Sequence, residues 1–142
     1  ADRWARAERV VFGPVSELLA AADGTPAAEV VRGVARLLDD GATGDLGPDQ
    51  LVHADLAGNV LIDGSGAPLV IDVAPCWRPV RWAEAVCVLD SVRSLGTPPD
   101  VLGAWTSGVP QQAMLRAIAF RALSDPAGSP GYDDVLPVVA ST

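Results

Sequence analysis

Apolar positions divide the chain into a helical front, a β-like middle and a helical back. Val10, Val11, Val15, Leu18 and Leu19 recur at helical spacing and predict helix over 3–22, which Gly13-Pro14 either breaks or kinks. Asp23-Gly24-Thr25-Pro26 reads as a stop and a restart. Thr25 is the expected cap and Pro26 the first position of a helix over 26–39. Val30, Val31, Val34, Leu37 and Leu38 share one face of it. Residues 40–50 are polar and glycine-rich and read as a loop.

In the middle, Leu51-Val52 forms a short apolar entry to His53-Ala54-Asp55-Leu56-Ala57-Gly58-Asn59. Val60-Leu61-Ile62 and Leu69-Val70-Ile71 then flank a Gly-rich stretch, the pattern of a β-hairpin with Asp63 as a turn residue. Ala74 to Pro79 reads as irregular. Helix resumes over 81–95, with Ala85, Val88, Leu89 and Val92 as its stripe. A short helix starts at Pro98-Pro99, and another at Pro110 turns Met114, Leu115, Ile118, Ala119 and Leu123 inward. The segment 124–142 reads as an irregular tail with one helical turn near Tyr132. The expectation is a single mainly α domain over 1–142: helices over about 3–39, a loop and one small hairpin over about 51–73, and helices over about 81–123.

Composition narrows the classes. The 142 residues are 49% hydrophobic, enough for a buried core. Net charge is −8 and no basic footprint is visible, which argues against nucleic-acid binding. No run is long and apolar enough to span a membrane, and the start lacks an apolar leader, so the expected location is cytoplasmic. The two cysteines, Cys76 and Cys87, read as small buried thiols, and with one His they make no zinc site. All ten cations are Arg.

One constellation carries chemistry. His53 and Asp55 precede the hairpin, Asn59 enters it and Asp72 leaves it. A hairpin brings its two ends together, so Asn59 and Asp72 are expected to converge beside Asp55. One Asp to take a proton from an attacking hydroxyl, with an Asn/Asp pair to hold Mg²⁺ against nucleotide phosphates, suits phosphoryl transfer. The bland alternative is that Asp55 and Asn59 are turn or cap residues. Trp77, Arg78, Arg81 and Trp82 either line a substrate pocket or pack together, and Asp90 reads as a solvated or capping carboxylate.

His53-Ala54-Asp55-Leu56-Ala57-Gly58-Asn59-Val60-Leu61 followed by Val70-Ile71-Asp72 resembles the catalytic loop and metal-binding segment of aminoglycoside phosphotransferases and related protein-kinase-like enzymes. The stretch from Pro75-Cys76-Trp77-Arg78-Pro79 to Val88-Leu89-Asp90 resembles an actinobacterial branch of unassigned substrate. The resemblance implies the C-terminal lobe of that fold, with ATP as co-substrate and Mg²⁺ as cofactor. Asp55 would be the catalytic base, Asn59 and Asp72 the metal and nucleotide ligands, and His53 a structural brace near the Asp72 segment. The loop from Asp55 to Asn59 is one residue shorter than the kinase pattern. Ala54 stands where the family commonly has Gly, and Arg78-Pro79 occupies the region of its later Asp-Pro pair.

Such an enzyme also needs an N-terminal sheet lobe that covers ATP and supplies a Lys. This chain has no Lys, so it reads as a piece of a longer protein that is inactive alone. The expected partners are a nucleotide, a small hydroxylated substrate and the missing lobe, with self-association of the exposed face. Two rival readings are a non-catalytic kinase-like module that binds a ligand or partner, and an unrelated helical interaction domain with a chance motif.

Overall fold

The computed structural model describes residues 2–125 and 132–141, apart from the side chains of 41–43 and 133. It is mainly helical. Helices α1 (Arg3–Val11), α2 (Val15–Ala22) and α3 (Ala28–Ala35) lead through a 3-10 segment (Asp40–Leu46) into β1 (Asp49–His53). Strands β2 (Val60–Ile62), β3 (Pro68–Val70) and β4 (Pro75–Pro79) follow, then α4 (Val80–Ser94). A second 3-10 segment (Pro99–Trp105), α5 (Gly108–Ser124) and α6 (Tyr132–Ala140) complete the order.

Helix α5 is the axis of the core. It is apolar on every face, which fits a helix packed on all sides rather than one with a solvent face. Residues 113–122 are all buried, and α1, α3, α4 and α6 all pack against this helix. Each fully buried Leu, Ile or Met here contributes on the order of 2 kcal/mol. Trp82 of α4 fills the space between α1 and α5, edge-on to Phe12 at 5.3 Å and to Phe120 at 5.1 Å. Trp82 is thus core, while Trp77 and Arg81 of the same sequence cluster are exposed.

Gly13-Pro14 breaks the front segment, with Pro14 as the N-cap of α2. The predicted 26–39 helix is shorter at both ends. The Thr25 hydroxyl donates to Ala22 O (2.6 Å) and accepts from Ala27 N (3.2 Å), forming a turn that delays the helix to Ala28. At the other end, Gln112 donates to Leu37 O (2.9 Å) and accepts from Asp39 N (2.9 Å), and Arg116 donates to Asp39 O (3.1 Å). These bonds from α5 draw the chain off the helical path. The expected loop 40–50 holds a 3-10 segment and the start of β1, and Asp40 Oδ1 accepts from Val15 N across to α2 (2.8 Å).

The single hairpin is corrected to two antiparallel pairs. Besides β2–β3 there is β1–β4, in register from Asp49 opposite Pro79 to His53 opposite Pro75. The supposed irregular stretch 75–79 is therefore a strand. The tail is corrected as well. Residues 126–131 lie outside the described residues, but 132–140 form helix α6, with Tyr132, Val135 and Val139 buried. Pro137 removes one helical hydrogen bond. Burial of those side chains outweighs that loss.

Candidate functional site

The two strand pairs are one antiparallel ribbon interrupted in the middle. Residues 54–59 on one side face 71–74 on the other. Ala54 N–H donates to Ala74 O (2.9 Å) at one margin of the gap, and Ile71 N–H donates to Asn59 O (2.9 Å) at the other. All four sequence-derived residues sit in or beside this gap.

His53 ties the two sides together. Its Nδ1 accepts from Asp55 N–H (3.0 Å), so Nε2 carries the proton and faces Ile71 O at 3.4 Å. The ring therefore braces both the Asp55 turn and the residue before Asp72. Asn59 folds back over the same turn. Its Nδ2 donates to Asp55 O (2.7 Å) and lies 3.4 Å from Asp55 Oδ2. That leaves the amide oxygen of Asn59 as its remaining donor for a cation.

Asp72 is exposed and has φ of 47°. Among the described residues it is the only non-glycine with positive φ. Asp adopts that left-handed conformation more readily than most residues, so the turn into β4 can form here without a glycine.

Arg121, on α5, is the residue that sequence reasoning missed. Its Nη2 donates to Asp55 Oδ1 (2.9 Å), to Ala54 O (3.2 Å) and to Asp90 Oδ2 (2.5 Å), while Nε donates to Asp90 Oδ1 (3.0 Å). One largely buried guanidinium thus joins α5, α4 and the Asp55 turn. Asp90 is corrected accordingly: it is neither solvated nor a cap but the bidentate partner of Arg121. Burial pushes the Asp90 carboxyl above its usual range, against the bonds from Arg121. Burial also works against the Arg121 charge, but the bonds and fields of Asp90 and Asp55 outweigh it and hold the guanidinium charged. The available signal was the pair of arginines, Arg116 and Arg121, in an otherwise largely apolar helix, since a buried cation requires a partner.

Two cavities flank Asp55. One, about 480 Å³, runs from Trp4 past Asp55 to Pro75, Trp77 and Phe120. The other, about 330 Å³, is more polar and includes Asp90, Arg93 and Arg121. Arg93 there donates to the Tyr132 hydroxyl (2.9 Å), whose own pKa burial pushes up to about 12. Arg78 pairs with Glu8 and stands 4.4 Å over the Phe12 ring, which fixes β4 to α1.

No three His, Cys, Asp or Glu side chains cluster as a metal cage among the described residues. The oxygen donors that remain, the Asn59 amide and the Asp72 carboxylate, are of the type Mg²⁺ takes when substrate phosphates and water fill its other positions. Compared with known proteins, the chain matches no family model, no curated protein and no solved structure.

Proposed function

We propose that this chain is the C-terminal catalytic lobe of a protein-kinase-like phosphotransferase that uses ATP and Mg²⁺ to phosphorylate a small hydroxylated molecule. The carrying observation is the ribbon gap, where His53 bridges the Asp55 turn and the residue before Asp72, and Asn59 folds back onto Asp55. Asn59 and Asp72 would hold Mg²⁺, which neutralises phosphate charge. Asp55 would take the proton of the acceptor hydroxyl as its oxygen attacks the γ-phosphorus, and the bond to the departing ADP oxygen breaks. With Oδ1 engaged by Arg121, Oδ2 is the oxygen for that task.

The exposed apolar side chains of β2 and β3 support a further body over this face, in keeping with a nucleotide-covering lobe that brings the Lys this chain lacks. Turnover would then need both lobes. The test is titration of the full-length protein with a magnesium–nucleotide analogue. Saturable binding that Asp72→Ala abolishes is expected, and binding unaffected by that change would remove the metal assignment.

A second reading, a non-catalytic ligand-binding module, is favoured by one observation: one carboxylate oxygen of Asp55 is already held in an ion pair with Arg121. Turnover in the full-length protein separates the two. Asp55→Ala removes most of it if Asp55 is the base, and there is none to remove if the module only binds.

A further inference from the structure

The interrupted ribbon has two long edges, and they are unlike. In an antiparallel pair, opposed residues alternate between exchanging both backbone bonds and turning their N–H and C=O groups outward. Ala54 N–H donates to Ala74 O, so in β1–β4 the exchanging pairs are Val52 with Cys76 and Gln50 with Arg78. Ile71 N–H donates to Asn59 O and Asp63 N–H to Ala67 O, so in β2–β3 the exchanging pair is Leu61 with Leu69. The outward positions along one edge are therefore Asp49, Leu51, His53, Val60 and Ile62. Along the other they are Pro68, Val70, Pro75, Trp77 and Pro79. Proline has no N–H to offer and blunts an edge wherever it faces outward. It does so repeatedly on the second edge and nowhere on the first.

Within the complete edge, β1 is held by β4 and α4, whereas β2 packs chiefly on β3. A lone two-stranded hairpin is marginal in water, and further strands steady it. Val60, Leu61 and Ile62 are all exposed. The edge of β2 is also complementary to itself. With a two-fold axis at Leu61, Val60 lies opposite Ile62 of a second copy, and Ile62 opposite the Val60 of that copy. Both are outward positions, so each of these pairs exchanges two backbone bonds. Leu61 meets its own counterpart at the close spacing of a non-bonded pair. Asp63 falls opposite Asn59 of the second copy and not against another carboxylate, which matters in a chain of net charge −8. The same operation on β3 is defective, because Pro68 would face Val70 of the copy and one bond of each pair would be lost.

We infer that two copies of this chain join β2 edge to β2 edge, antiparallel about a two-fold axis at Leu61. The joined sheet runs β3-β2-β2-β3, its outer edges carry Pro68, and assembly closes at a dimer. Three residues a side bury less than the roughly 800 Å² per partner of a standard interface, so the dimer is concentration-dependent. The pairing does not rest on the phosphotransferase reading, since it uses the edge of the hairpin and leaves both faces to a covering body.

The experiment compares disulfide cross-linking of Leu61→Cys and Leu69→Cys under mild oxidation, with the unaltered chain as blank and the bond between introduced thiols identified by peptide mass. Opposed Cα atoms of a non-bonded pair stand about 4.5 Å apart, within disulfide reach. The two Leu69 positions would be separated by three strand spacings, about 14 Å, which is beyond it. Leu61→Cys is expected to cross-link at least tenfold faster. Equal rates, or faster linking of Leu69→Cys, would mean that the hairpins stack by their faces and would overturn the assignment, as would the absence of linking in both. A second pair of variants tests the backbone bonds. Ile62→Pro removes an outward N–H of β2 and should weaken dimerisation about tenfold, the scale of the bonds lost. Val70→Pro removes an outward N–H of β3 and should leave dimerisation unchanged, with far-UV circular dichroism confirming that both variants fold. Equal weakening by the two, or a sedimentation mass that climbs past twice 14.6 kDa, would also overturn it.

Discussion

Arg121 reaches across from the central helix and donates to Asp55 at 2.9 Å, and the same guanidinium clasps Asp90. The Asp55 turn is therefore anchored in the core, not only braced by its own loop. Removing the cation leaves Asp90 buried without its counter-ion, a change worth roughly 3–5 kcal/mol in comparable buried pairs. Arg121→Met is expected to lower the unfolding free energy measured in urea by that order, and so its midpoint, and adding Asp90→Asn should recover a large part of the loss. An unchanged midpoint in the single variant would show that the pair contributes little.

The legible part of the candidate site was the part contiguous in sequence. His53, Asp55 and Asn59 lie on one short loop, and Asp72 lies just beyond the hairpin, so local order carried them together. Arg121 was not legible because its partners Asp55 and Asp90 lie 66 and 31 positions away, and periodicity says which face is apolar, not which carboxylates a buried cation meets. Strand β4 was hidden by its own prolines. Pro75 and Pro79 read as breakers, yet each sits at a strand end, where a missing N–H costs the ladder little. Helix α6 was hidden in the same way by Pro137, and there the apolar spacing of Tyr132, Val135 and Val139 was the better guide.

Cys76 lines the aromatic cavity, where a reactive thiol would be a natural suspicion. Burial pushes its pKa up to about 11, and the charge of Glu8 adds to that, with Arg78 opposing. The thiol is therefore protonated at neutral pH and a poor nucleophile. Alkylation by iodoacetamide is expected to be slow at pH 7 and to rise roughly tenfold per pH unit until near pH 11. A rate that levels off by pH 9 would contradict this. Glu8→Gln should bring the rise to lower pH, because it removes the neighbouring negative charge.

The hairpin turn carries a pH signature of its own. Asp63 Oδ1 accepts from Ser65 N (2.7 Å), Ser65 Oγ (2.6 Å) and Ala67 N (3.0 Å), and the Ser65 hydroxyl is the largest cause of its lowered pKa. A carboxyl lowered on folding supports the fold above its unfolded value of 3.8 and loses that support as pH falls through the lower folded value. The amide signals of Ser65 and Ala67 should thus move with a midpoint below 3.8. A midpoint at or above 3.8 would mean that these bonds do not favour the charged form. Asp63→Asn should remove the transition altogether.

The β2–β3 hairpin exposes apolar side chains on both of its faces. Val60 lies opposite Val70 and Leu61 opposite Leu69, and all four are exposed, with Ile62 66% so. Since side chains alternate across a strand, Leu61 and Leu69 belong to one face and Val60, Ile62 and Val70 to the other. Among the described residues, β2 and β3 pair only with each other, so both strands also present an open edge, the arrangement that pairs with another chain. The isolated chain is therefore expected to self-associate, with a sedimentation-average mass that rises above 14.6 kDa as concentration increases. Replacing the cross-strand pair with opposite charges, Leu61→Glu with Leu69→Lys, keeps an attractive contact between the strands while making that face polar. It should shift the chain toward monomer, and adding Ile62→Lys on the second face should shift it further. A clean monomer of the unaltered chain at high concentration would show that the hairpin is tolerated in water. Association that persists in the triple variant would locate the contact elsewhere.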